Sequence, residues 1–122
     1  MEQNLDEITI NGIKYVREDN KSKASSFNGM EYKIVRTYSA GVFAGYVEKK
    51  DGMEVTLRNA RRIWYWDGAA SLSQLAEEGT SKPENCKFPS EVYRVVLTQV
   101  IEILDVSEKA KKSIDGVKIW KQ

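Results

Sequence analysis

At 122 residues the chain is long enough for one domain with a modest core and leaves little room for two. Hydrophobic residues at 41% and charged residues at 30% are those of an ordinary globular protein, which argues against a disordered or fibrous chain. Nineteen basic against eighteen acidic residues leave a formal charge of +1, without the broad positive field of a general nucleic-acid binder, so any anion site must be local.

The chain opens with MEQNLDE, which is acidic and unlike a signal peptide, and no apolar run approaches the ~18 residues of a membrane span. EITINGIKYV then alternates apolar and polar residues around Asn11-Gly12, and Asn-Gly between two such runs predicts a β-hairpin because both residues tolerate positive φ. An N-terminal hairpin is expected over 1–17, with Ile8, Ile10, Ile13 and Tyr15 as its apolar residues. A polar linker follows over 18–29, and a main α+β domain over 30–122.

That domain begins with strands predicted at 31–38, 42–50 and 53–58, with an Asp51-Gly52 turn between the second and third and a continuation or fourth strand at 60–66. An antiparallel meander is the simplest topology. AASLSQLAEEG has the composition of a two-turn helix, with Ser71 as N-cap, Gln74 three residues on and Gly79 as the stop. TSKPENCKFPSE is loop, and its Cys86 reads as an inert loop or edge residue. VYRVVLTQVIEIL is rich in β-branched residues and reads as one or two strands, although its length also suits a buried helix. SEKAKKSID is a second short helix opened by Ser107, and the tail GVKIWKQ is apolar enough to dock. The fold class is therefore α+β: an antiparallel sheet with two short helices, preceded by a hairpin.

The chemistry available is narrow. Histidine is absent, which removes the commonest general base, triad partner and metal ligand, and a single cysteine permits neither an intrachain disulfide nor a Cys-based zinc site. No carboxylate spacing is diagnostic of acid–base catalysis, and neither GxxxxGK[ST] nor GxGxxG occurs. A protein without catalytic residues, metal or cofactor is expected, in a reducing cytoplasm.

Two stretches remain. In YSAGVFAGY, residues 38–46, Gly41 and Gly45 flank Phe43 and leave the backbone nearly bare, either for a bend under a packed helix or for close approach of a ligand or second subunit. In RNARRIWYWDG, residues 58–68, strand periodicity puts Arg58, Ala60, Arg62, Trp64 and Trp66 on one face and Asn59, Arg61, Ile63 and Tyr65 on the other. One reading is a core strand whose arginines pair with carboxylates. The other is a surface where Arg58, Arg61 and Arg62 grip phosphates, Trp64 or Trp66 stacks on a base, and Gly41, Phe43 and Gly45 admit the ligand. Asn85 and Phe88, in the loop that follows, are further candidates to close over a base.

The blocks YSAGVFAG, NARRIWYWDGAASLSQLA and KPENCKFP resemble a family of small proteins of tailed phages and prophages described as a domain of unknown function, over about residues 31–120. The resemblance implies a phage accessory protein made in the host bacterial cytoplasm, and by analogy with phage signal sponges an anti-defence role. The expected ligand is a nucleotide-derived signal such as a cyclic nucleotide or cyclic ADP-ribose isomer, bound by a homo-oligomer without catalysis. The alternative is a protein-binding module, either an inhibitor of a host defence protein or a structural or assembly factor, in which the same aromatics form an interface. Nucleic acid is a less favoured partner, and no membrane partner is expected.

Overall fold

The computed structural model describes residues 22–122; before them it gives only the backbone of two four-residue strands, Glu7–Ile10 and Ile13–Val16. Of the hairpin expected at 1–17, the Asn11-Gly12 turn and everything beyond those two strands lie outside the described residues, as does the linker up to residue 21. From Ser22 onward the expected linker lies against the body. Ala24 is buried and donates its N–H to the Val106 carbonyl, and Phe27 packs on Tyr46 with ring centroids 5.5 Å apart.

Five strands form one antiparallel sheet: β1 (Tyr32–Thr37), β2 (Val42–Asp51), β3 (Glu54–Arg62), β4 (Val92–Leu97) and β5 (Val100–Asp105). The first four run as a meander, and the β2–β3 hairpin turns at Gly52-Met53, one residue beyond the expected Asp51-Gly52, with Gly52 at φ +61°. The ambiguous segment VYRVVLTQVIEIL forms two strands. The simple meander fails at β5, which pairs with β1, so that the order across the sheet is β4-β3-β2-β1-β5.

That order dictates the shape. Strands β4 and β5 occupy opposite edges, yet only Thr98 and Gln99 lie between them. Three peptide units reach about 10 Å, whereas the edges of a flat five-stranded sheet would be about 19 Å apart. The sheet must therefore coil until its edges meet at Thr98-Gln99. Its concave side is filled by Val35, Phe43, Val55, Leu57, Ala60, Leu97 and Val100.

The convex side carries the helices. Ile34 and Ala44 pair across β1 and β2 on this face, while the next pair, Val35 and Phe43, points into the concave side. Helix α1 (Leu72–Glu78) starts as read, with the Ser71 hydroxyl accepting from the Gln74 N–H, and stops at Gly79 with φ +80°. Helix α2 (Glu108–Asp115) starts at Ser107, whose hydroxyl accepts from the Ala110 N–H. Leu75, Ala76, Ala110 and Ile114 bring the two helices onto Ile34, Ala44 and Phe88. No helix among the described residues is long and apolar enough to cross a membrane.

Of the two readings for 60–66 the continuation holds: strand β3 runs unbroken from Glu54 to Arg62, and stops short of 66. The break in the pattern is conformational: Asn59 has φ +50°, a left-handed conformation that asparagine tolerates better than most side chains. Pairing with β2 slips there, from Tyr46 opposite Arg58 to Ala44 opposite Arg61, so two residues of β3 share the space beside Gly45. The bulge inverts the alternation, putting Leu57 and Ala60 together on the concave side. Arg58 therefore does not share a face with Ala60 and Arg62, contrary to the simple period of two.

Candidate ligand-binding site

After the bulge Arg61 and Arg62 return to strict alternation, opposite Ala44 and Phe43 respectively. Arg61 faces the helices and is only 7% exposed. Its Nε donates to the Pro89 carbonyl at 2.8 Å, Nη1 to Ile114 at 2.7 Å, and Nη2 to Phe88 at 2.9 Å and Val117 at 2.7 Å. Burial presses its pKa below the ordinary arginine value, with nearby Tyr32, Asp115 and Glu91 opposing that shift. The side chain cross-ties β3 to the end of α2 and to the loop that carries Phe88.

Arg62 points the other way, to the mouth of the coiled sheet. Its guanidinium lies 4.3 Å from the centroid of the Phe43 ring, and Nη1 donates to the Ala40 carbonyl at 2.6 Å. No carboxylate pairs with it among the described residues. Phe43 is buried and serves as the platform beneath the cation.

The mouth is a hollow of about 250 Å³. It is lined by the turn at 39–41 with Val42, and by Arg62, Ile63, Trp64 and Trp66 at the end of β3 and just after it. The turn at 37–41 is tied down: the Gly41 carbonyl accepts from both the N–H and the hydroxyl of Thr37, and that hydroxyl accepts from the Ala40 N–H. Gly41 is needed for its φ of +95°, since a Cβ there would meet Arg62 Nη1 at an ordinary 3.6 Å. Trp66 is half-buried against the helix-side core and donates Nε1–H to the Ala69 carbonyl at 3.2 Å, whereas Trp64 is 63% exposed. Arg62 is the only ionisable side chain among the residues that line the hollow.

Five of the residues singled out from sequence thus meet here: Gly41, Arg62, Trp64 and Trp66 line the hollow, and Phe43 lies beneath Arg62. The others lie elsewhere. Arg58 is held by Glu48, its Nε 2.8 Å from Oε1, and stacks on the exposed Tyr93 ring at 4.8 Å. Glu48 also accepts from Arg94, and these two hydrogen bonds, Arg94 first, hold its carboxyl below the ordinary range. Gly45 has a packing role, because a Cβ would stand 2.9 Å from Ala60 Cα. Phe88 is fully buried in the helix-side core, so it cannot close over a ligand.

Asn85 donates to Asp67 Oδ2 at 2.9 Å and, with the Gly68 N–H on Oδ1, keeps that carboxyl below its ordinary pKa. Cys86 is buried beside this knot, its sulfur 3.5 Å from the Asp67 N–H. Sequence reading missed Ser39 and Ala40, whose only signal was adjacency to the glycine-rich turn.

A larger hollow, about 370 Å³, lies between the 83–86 turn and the tail at 116–120. Its charges, Glu84 and Lys118, are of opposite sign, and none of the candidate ligand residues lines it. Its volume alone does not outweigh the convergence of cation and indoles at the sheet mouth. Among the described residues no group of three or more potential ligands is placed to hold a metal ion.

Fold and site together define an α+β protein built on a coiled five-stranded antiparallel sheet with an arginine–tryptophan hollow at its mouth. The chain belongs to a family described as Domain of unknown function (DUF6948), whose model matches residues 30–114 and so spans the hollow and both helices. No curated protein and no solved structure matches the chain.

Proposed function

We propose that the hollow at the sheet mouth binds a small anionic ligand with a planar aromatic group, of the nucleotide kind, and holds it without chemistry. The observation that carries this is Arg62: an exposed cation with no carboxylate partner among the described residues, seated on Phe43 beside two indoles. A guanidinium in that setting makes short, charge-assisted hydrogen bonds to phosphoryl oxygens, and an indole face adds about 1–3 kcal/mol of stacking per base. In a phage accessory protein such binding would withdraw a cyclic nucleotide or a cyclic ADP-ribose isomer from a host receptor. Calorimetric titration with a panel of these compounds tests the proposal. Saturable binding that is lost in Arg62→Gln is expected, and silence across the whole panel removes the reading.

A second reading rests on a different observation. Edge strand β4 exposes Val92, Val96 and Tyr93, the last at 69%. Exposed edge strands with aromatic and β-branched side chains recruit protein partners, including second copies of the same chain. Sedimentation velocity of the wild type and Val96→Lys separates the cases: under this reading the wild type self-associates or takes a stoichiometric protein partner, and the variant does not.

A further inference from the structure

We infer that each hollow takes up a single base carrying one phosphoryl group, the unit of a nucleoside monophosphate, and recognises the phosphoryl group rather than the identity of the base. This inference rests on the ligand reading above and narrows it, since a cyclic dinucleotide brings two bases and two phosphates.

Size is the first constraint. Pockets that enclose drug-sized ligands run to about 300–1,000 Å³, and this one, at about 250 Å³, falls below that range. Widening it is opposed by the wall itself. The 37–41 turn is closed by three internal hydrogen bonds, and Arg62 ties that turn to β3 through the Ala40 carbonyl. Trp66 is anchored through Ala69, which leaves the exposed Trp64 as the side chain with freedom to close over one ring.

Charge is the second constraint. Among the described residues one guanidinium faces the hollow, with part of Nη1 already committed to Ala40, so one phosphoryl group is matched by charge and a second would meet only neutral donors, the Ser39 hydroxyl, the Trp64 indole N–H and backbone. Hydrogen-bonding character is the third. No Asn, Gln, Asp or Glu lines the hollow, so no side-chain amide or carboxylate is present to read a base edge. Stacking on indole accepts any base, because every base has a π-face.

The test is calorimetric titration of the full chain with AMP, GMP, CMP and UMP, and in parallel with adenosine, ribose 5-phosphate and cyclic di-AMP. The expected result is 1:1 binding of the four monophosphates within about tenfold of one another, with adenosine and ribose 5-phosphate each weaker by about tenfold or more. Cyclic di-AMP should bind no more tightly than AMP. Cyclic di-AMP binding one per chain and about a hundredfold tighter than AMP, or a hundredfold spread among the bases, would overturn the inference. If Arg62→Gln abolished that tighter binding, the ligand reading would stand without it. Silence of every compound here and in the signal panel would remove both.

Discussion

Arg61 and Arg62 are adjacent, chemically identical, and turned to opposite sides of one strand. Arg61 lies under the helices and gives four hydrogen bonds to carbonyl oxygens of two stretches, Phe88–Pro89 and the 114–117 end of α2 and its tail; Arg62 lies at the sheet mouth and gives one, to Ala40. The difference comes from what each face meets. On the helix side the last carbonyls of α2 and the loop before β4 converge on a buried cation, and their dipoles replace the water it has lost. At the mouth the cation keeps its access to solvent and an aromatic ring beneath it. An arginine in a sequence therefore carries no fixed role; the layer it faces assigns one.

The largest effect should come from Arg61→Met. It keeps the stem volume and takes one donor from each of four carbonyls, of which Phe88 and Ile114 keep a backbone donor from Trp120 and Val117, so a loss of about 2–4 kcal/mol is expected, read from the shift in urea midpoint. A loss below about 1 kcal/mol would erase the contrast with Arg62. Gly45→Ala comes next, at about 1–3 kcal/mol, because its Cβ would press on backbone at Ala60. A neutral result there would mean that the bulge at Asn59 relaxes readily.

The acid end of the stability profile sharpens the comparison at a third place, the loop knot around Asp67. Its folded pKa is depressed, so its contribution is fully present above the ordinary carboxylate value and is lost as pH falls through the lower, folded one. Carbon-detected NMR should find Asp67 titrating below ordinary aspartates, and Asn85→Ala should raise that midpoint. No change on removing the amide would contradict the assigned cause. Smaller should be the stability effect of Arg62→Gln, about 1 kcal/mol for the bond to Ala40 and the stack on Phe43, and smallest that of Trp64→Ala, within about 0.5 kcal/mol, since that side chain lies on the surface.

What could be read from sequence was local. Ser71, Gly79, Ser107 and Gly52 act within a few residues of themselves: the first three stand where their chemistry predicts, and the turn at Gly52 lies one residue further on than expected. The sheet order was not legible, because β5 reaches β1 only once the whole sheet has coiled. The faces of β3 were misread for a smaller reason: one asparagine at φ +50° shifts the alternation, and nothing around Asn59 distinguishes it from a regular strand residue.

For the site, RNARRIWYWDG and YSAGVFAG were rightly set side by side, since β2 and β3 are neighbours and bring Gly41 to Arg62. Composition gave no means of telling the exposed Arg62 from the buried Arg61, or a loop aromatic from the core residue Phe88. Burial is a property of the assembled layers.

The ligand role proposed for Arg62 stands against the structural role of Arg61. It is tested most directly by measuring AMP binding and urea unfolding on the same preparation of Arg62→Gln. Expected are a stability within about 1 kcal/mol of the wild type and at least about a tenfold loss of AMP affinity. A variant that binds AMP as tightly as the wild type, or that loses stability on the scale expected for Arg61→Met, would contradict it.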